Sequence, residues 1–387
     1  MNLLMYKFRM YPSRKQKVRI INSLKICKTI YNELLAISID SWKYGQVSLS
    51  GFDFNKYLTG KYSNIHSQSK QNVSDRVHKA FKNFFRRVKE NVKEKGFPRF
   101  KSRINSITYP QSGFKFINQR RLYASKIGNI PITLHRVPKG KIKTMTIKVN
   151  KANQWFACFS CEMDTHKVKH SSKEKIGIDV GIENFATLSN GETIDNPRFL
   201  IKFEKRLKLL QRRLSRKKKG SVNRRKARFR LARQHLKVNN IRTDWLHKLS
   251  KSLTLKYDTI AIENLKISNM VKNHFLAKHI SDASWGIFAK NLEYKAVISG
   301  SELIKVNPRG TSKTCSECGA IVDMPLSKRK FSCPECDFVC HRDLNASLNI
   351  LKVGTDCAKL NACGDTVRPS LKARVVETGT INGSASS

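Results

Sequence analysis

Three carboxylates and four thiols in this chain stand at positions and spacings that suit chemistry. Cys315 and Cys318 are separated by two residues; fourteen residues later Cys333 and Cys336 repeat the pair. Two such knuckles can hold one zinc ion tetrahedrally through thiolates, and Gly319 suits a knuckle's tight turn. Four thiolates leave no coordination position for a substrate, so this zinc is expected to be structural. Cys340 and His341 follow closely enough to compete as ligands. Cys27, Cys158, Cys161, Cys357 and Cys363 read most simply as free thiols.

The carboxylates are Asp179, Glu263 and Asp343. In the run from Ile176 to Gly181, strand alternation turns Ile176, Ile178 and Val180 to a core and leaves Gly177, Asp179 and Gly181 on the other face. A carboxylate between two glycines gives a metal and a phosphate room to approach, although actin-like ATPases open similarly and a strand-end Asp is often a turn former. A second run, Thr259 to Glu263, turns Ile260 and Ile262 inward and places Glu263 opposite them. Asp343 precedes Leu344, Leu348 and Leu351 at helical spacing, where an N-cap role is compatible with metal ligation. Three acids on separate elements suit a two-metal phosphodiesterase site, in which paired magnesium ions activate water and stabilise the leaving oxygen. No Walker loop, nucleophile elbow or H-E-x-x-H helix is present, so NTPase, acyl-transfer and metalloprotease readings lack their residues.

The charge points to the substrate class. Seventy-six Lys and Arg against 28 Asp and Glu leave +48 over 387 residues. A duplex binder contacts about 6–10 phosphates, so this excess suits a long nucleic acid of more than one strand. No apolar run approaches the roughly 20 residues of a bilayer span. Lys7 and Arg9 interrupt the start, so a signal peptide is not expected. Paired C-x-x-C cysteines in a chain with few others point to a reducing compartment, cytoplasmic and nucleoid-associated.

The elements that must position these residues are legible in outline. Residues 1–12 read as one strand and 13–96 as helices. In the first helix Ile20, Leu24, Cys27, Ile30, Leu34 and Leu35 recur at three- and four-residue spacing. A second, over about Ser69 to Lys95, carries Val73, Val77, Phe81, Phe84, Phe85 and Val88 on one side, with Arg76 and Arg86 among its basic faces. Residues 97–170 read as short strands, and 164–175 as a linker. An α/β pattern follows over 171–310. Within it a basic helical hairpin over 200–250 holds 17 Lys or Arg against one acid between Lys202 and Lys237, turning at Gly220-Ser221. Arg212, Arg213, Arg224 and Arg225 are its candidate phosphate contacts. Residues 311–340 form the zinc module, 341–363 return to the α/β domain, and the tail 364–387 is expected to be unordered.

In sum these residues resemble the transposon-encoded TnpB (OrfB) family, relatives of the type V CRISPR effectors. The resemblance runs over nearly the whole chain, through FRMYPSRKQ, AFKNFFRRVKE, GFPRFKSR, KIGNIPITL, GIDVGIENFATLSNG, IAIENLKISNM, TSKTCSECG with FSCPEC, and RDLNASLNIL. It implies a multidomain α+β fold: a wedge-type β-barrel (residues 1–12 and about 97–170) with a helical recognition insert, and an RNase H-like RuvC domain with an inserted zinc ribbon. It implies that Asp179, Glu263 and Asp343 are catalytic and hold two magnesium ions. It further implies an RNA-guided double-stranded DNA endonuclease, its guide transcribed from the transposon end, its cutting dependent on a short adjacent motif. Gln68 and Gln71 fall in the family's recognition helix, and Arg342 beside Asp343 is a candidate phosphate contact. Two alternatives remain: an RNA-guided DNA-binding repressor that does not cut, and a nonspecific nucleic-acid-binding protein. The intact acids argue against the first, the acids and knuckles against the second.

Overall fold

The structure is a computed structural model that describes residues 2–45, 47–163, 170, 172–325, 328–360 and 375–378. It divides into two units, residues 1–164 with 376–387 and residues 165–375.

The first unit is built on β1 (Asn2–Met10), α1 (Arg14–Gly45), α2 (Gly51–Tyr57) and α3 (Ser67–Lys89). Strands β2 (Ser106–Pro110), β3 (Phe114–Asn118), β4 (Arg121–Ala124), β5 (Gly128–Thr133), β6 (Lys141–Val149) and β7 (Trp155–Met163) complete it. The alternation of β1 buries Leu4, Tyr6, Phe8 and Met10, and the strand pairs antiparallel with β7 along its whole length. The sheet runs β2-β6-β7-β1-β5-β4-β3. It curls: Phe114 and Phe116 of β3, at one end of the path, bring their rings to 6.1 and 4.9 Å from Phe159 of β7. It does not close, because β2 and β3 do not pair among the described residues, so the expected barrel is a curled half-barrel.

The helices enter between β1 and β2. α1 buries Ile20, Leu24, Cys27, Ile30, Leu34 and Leu35, the residues whose spacing marks it as a helix. α3 ends at Lys89 rather than near Lys95, because Asn91 takes a left-handed conformation (φ 48°) that turns the chain out of the helix. Its Val73 and Val77 are buried, but Phe85 and Val88 are exposed.

The second unit holds a five-stranded sheet: β8 (Lys175–Val180), β9 (Asn184–Leu188), β10 (Thr193–Asp195), β11 (Thr259–Glu263) and, later in the chain, β12 (Glu302–Val306). Between β10 and β11 come α4 (Phe199–Ser215) and α5 (Val222–Lys256), the basic hairpin. Between β11 and β12 come α6 (Ile267–Met270), α7 (His274–Ala283) and α8 (Trp285–Ser299). The four-cysteine module contributes β13 (Lys330–Ser332) and β14 (Val339–His341), and α9 (Arg342–Leu360) follows it. The strand order is β10-β9-β8-β11-β12, with β8, β11 and β12 parallel. One face packs Ile176, Ile178, Ile260 and Ile262 against Phe185, Trp285 and Phe288. Asp282 of α7 anchors the hairpin: its carboxylate accepts from the Leu200 N–H of α4 and pairs with Arg242 of α5 at 2.6 Å.

The other face is covered by α9, and this revises the expected role of Gly177. A Cβ there would lie 2.1 Å from the Ser347 carbonyl oxygen and 2.8 Å from the Leu351 nitrogen. The glycine makes room for a helix backbone, not for a metal. Gly177→Ala must push α9 away, an overpacking cost of about 1–3 kcal/mol, and a lower urea midpoint with unchanged slope is the expected result.

Strand β15 (Val375–Thr378) pairs with β1, so the tail expected to be unordered includes a paired segment; the rest of it, residues 361–374 and 379–387, lies outside the described residues. Most of the expected linker, residues 164–169 and 171, does as well. Among the described residues no helix is long and apolar enough to cross a membrane.

Candidate metal sites and nucleic-acid interface

The direction of connection reverses between β8 and β11: β9 and β10 extend the sheet one way, β12 the other. Such a switch point leaves a crevice at the carboxyl ends of the parallel strands, where ligands bind in open α/β sheets. The register Ile178↔Ile262 puts Asp179 and Glu263 side by side as the next residues at that edge. α9 packs along β8, and its first turn brings Asp343 to the same place.

The electrostatics reflect that convergence. Burial, then the charges of Glu263 and Asp343, push the Asp179 carboxyl well above the ordinary carboxylate range, while Arg342 pulls it back. Burial also raises Glu263, against a hydrogen bond from Thr311. The Thr311 hydroxyl donates to Glu263 Oε1 at 2.6 Å. Asp343 faces two guanidinium groups, with Arg342 Nη2 3.0 Å from Oδ1 and Arg329 Nη1 3.6 Å from Oδ2. Arg329 also pairs with Glu183 at 3.1 Å. Asp179 and Glu263, both held from ionising by burial, and Asp343 at the helix start offer hard oxygen ligands of the kind a divalent cation takes.

The four cysteines form a second cluster. Their sulfurs lie within 4.8 Å of one another, with Cys315–Cys336 at 3.7 Å and Cys318–Cys333 at 3.5 Å. Ligands about 2.3 Å from a tetrahedral zinc stand about 3.8 Å apart, so the donors fit that ion. Gly319 adopts φ 82°, and the Cys315 N–H donates to Ala320 O, closing the first knuckle. Cys333 N–H to Phe338 O closes the second. Phe331 and Met324 supply a small apolar core. Among the described residues the cluster comprises these four alone; Cys340 instead directs its thiol to the His341 carbonyl.

Side chains on α9 fasten the module to the sheet unit. Asn345 accepts from Ser316 N–H and donates to Thr314 O; Asn349 donates to the Thr311 and Thr314 carbonyls; Lys352 donates to Ser316 O. Thr311, Arg329, Asn345 and Asn349 were not signalled in the sequence, where a lone polar residue carries no periodicity or spacing. The asparagines' i,i+4 spacing after Asp343 was the available hint.

The candidate nucleic-acid contacts divide. Arg76 donates to Asn72, Ser106 O and Thr108, tying α3 to β2. Gln68 accepts from the Ser112 N–H and hydroxyl. Arg224 donates to the Leu214 and Lys217 carbonyls and so holds the hairpin turn. These three are engaged with their own chain. Gln71, Arg212, Arg213 and Arg225 are exposed, as is Arg86, which pairs with Glu90 at 3.3 Å. Arg213 also lines a basic cleft of about 560 Å³ with Arg216, Lys217, Lys226 and Arg230, between the two hairpin helices.

Such a molecule belongs to a definable class: an α+β protein with three acids at a sheet's switch point, a four-cysteine module beside them, and a strongly basic surface. The comparisons are consistent. The OrfB (IS605) family model, described as "Probable transposase", matches residues 158–274; "Cas12f1-like, TNB domain" matches 285–350 and "Helix-turn-helix domain" matches 1–46. That last stretch is one strand and one continuous helix here. A Streptomyces pristinaespiralis protein named "Putative RNA-guided DNA endonuclease" is 35% identical over 379 residues, 94% of this chain and 92% of its own length. An Escherichia coli K12 protein, "Putative RNA-guided DNA endonuclease InsQ", is 29% identical over 98% of both chains. The chain belongs to the OrfB/TnpB family. In fold it is similar to the mini-RNA-guided endonuclease CRISPR-Cas_phi3, with a TM-score of 0.51 at 11% identity over 91% of this chain and 92% of that one.

Proposed function

We propose that this protein is an RNA-guided, magnesium-dependent endonuclease of double-stranded DNA with one RuvC-type centre formed by Asp179, Glu263 and Asp343. The observation that supports this most is the meeting of those acids, from two adjacent parallel strands and a helix start, at the switch point of the sheet. The 165–375 unit is then an RNase H-like nuclease domain; the half-barrel and α1–α3 are its wedge and recognition parts.

Magnesium would supply an activated water and stabilise charge on the leaving oxygen. Thr311 holds the Glu263 carboxylate in one orientation by its hydrogen bond. Arg342 does the same for Asp343 and, with Arg329, offers guanidinium groups to a phosphate entering the crevice. The cysteine module holds one structural zinc ion and carries Arg329 to the site. The basic hairpin and the exposed arginines bind backbone phosphates without reading sequence, which pairing with a guide supplies. The guide is RNA from the transposon end, a short adjacent motif licenses cutting, and the protein works in the cytoplasm on nucleoid DNA.

The test is to purify the protein from cells carrying the flanking transposon DNA and sequence the RNA that comes with it. A discrete species ending in transposon sequence plus a variable segment is expected, and DNA matching that segment should be cut only with magnesium. Unrelated RNA fragments and no matched cutting would leave a nonspecific binder.

A further inference from the structure

The C-terminal half of α3 carries Phe81, Phe84, Phe85 and Val88 on one face, and none of these side chains is fully buried. Phe85 is 40% exposed, and Trp42 of α1 and Phe97 are 53% and 49% exposed. The rings are nonetheless ordered as one array. Phe97 meets Phe81 and Phe84 edge-on, with centroids 5.8 and 5.1 Å apart; Phe81 stacks on Phe85 at 6.3 Å, and Trp42 lies 6.1 Å from Phe85. Arg87 fixes the loop that presents Phe97 by donating to the Lys95 and Gly96 carbonyls. A groove of about 530 Å³ opens among these rings. A contiguous exposed apolar surface of this kind marks an interaction site.

The rim identifies the occupant. Lys43 lines the groove, and Lys82 and Lys89 flank the aromatic stripe; all three are exposed. A second copy would set the same cations against each other across a self-complementary contact. Unpaired nucleotides satisfy both features at once: bases stack on rings while phosphates meet lysines. The groove has little to read a base edge with: the Ser38 hydroxyl is spent on Leu34 O, and Ser48 is the other hydroxyl among its lining residues. Such a platform tolerates any sequence. In guided cleavage the guide strand is paired with its target, and the strand left unpaired with arbitrary sequence is the displaced DNA strand.

We propose that this groove is a stacking platform for unpaired bases of the displaced DNA strand, a role that rests on the guided cleavage proposed above. The test titrates the full-length protein into single-stranded DNA of mixed sequence carrying 2-aminopurine, without magnesium and without complementarity to any guide. Quenching is expected. Trp42→Ala and Phe85→Ala, half-exposed positions whose loss should lower the melting temperature only slightly and leave the chain folded, are each expected to weaken binding about tenfold, the scale of one lost stack. Their salt slope should stay that of the parent, whereas Lys82→Ala should flatten it. The guide-loaded protein opening a matched duplex should quench 2-aminopurine in the displaced strand.

Unchanged affinity in both aromatic variants would overturn the platform. So would quenching confined to RNA of the same sequence, quenching absent from the displaced strand of an opened duplex, or a solution dimer that Trp42→Ala abolishes, which would give the face to a second copy. The oligonucleotide arm needs neither guide nor cutting. Failure of guided cleavage therefore appears separately, as intact quenching without cut DNA, and withdraws the displaced-strand assignment with it.

Discussion

Asp179→Ala is expected to abolish DNA cleavage while leaving guide and target binding within about twofold of the parent. Removing even an outer partner of a metal site costs 10–100-fold, so loss of a ligand central to three should exceed about a hundredfold. Binding should be spared because the exposed arginines and lysines proposed to meet nucleic acid lie on other elements. The same residue sets a pH dependence. Its folded pKa is raised by burial and by the neighbouring Glu263 and Asp343, so folding without metal favours the protonated carboxyl more than the unfolded chain does. Between the ordinary carboxylate range and the raised value, stability of the metal-free protein therefore increases as pH falls. Magnesium binding requires the carboxylate and so strengthens as pH rises through the same window. Asp179→Asn, which removes the crowded charge but keeps the shape, is expected to melt higher than the parent at neutral pH without magnesium, and to lose the shift that magnesium gives the parent. Cleavage by either variant at near-parental rate, or a lower melting temperature for Asp179→Asn in the absence of metal, would remove Asp179 from the centre.

How far the site was legible depended on whether a residue's role leaves a pattern. Ile176 and Ile178, with Ile260 and Ile262, alternate, and alternation alone placed Asp179 and Glu263 on one face of two strands. The cysteine pairs carry their ligand geometry in their spacing. Leu24, Cys27, Ile30 and Leu34 marked α1 by helical period. Roles that depend on a distant partner left none. Gly177 looked like space for a metal and is space for the Ser347 carbonyl, because nothing local says which element crosses a glycine. Arg76 and Arg224 looked like phosphate contacts and reach their own chain's carbonyls, because a basic residue in a basic segment carries no sign of its partner. The stripe from Val73 to Val88 reads as one face, yet the helix is covered only over its first half, and coverage is a property of neighbours. Half-barrel and closed barrel share the same strand signals, since closure is decided by the pairing of β2 with β3.

Removal of zinc has the second largest expected effect, and it tests whether the cysteine module serves the carboxylates. Structural zinc contributes an apparent 10–16 kcal/mol, roughly, to folding of small modules, and the apolar core here buries only Phe331 and Met324 beside two of the cysteines, with Ala320, Val322, Phe338 and Cys340 partly covered against them. Cys318 is exposed, so Cys318→Ser removes one thiolate of the cluster with little loss of packing. The variant is expected to lose nearly all bound zinc and to show early proteolysis within 311–340 while the half-barrel unit stays intact. Cleavage should then fall about tenfold or more, because the ordered module holds Thr311 on Glu263 and Arg329 on Asp343. Cys340→Ser is the internal control: its sulfur lies outside the cluster, so zinc content and cleavage should be those of the parent. Zinc loss with parental cleavage would show that the module and the carboxylates act independently. Full zinc in Cys318→Ser would break the four-thiolate assignment itself.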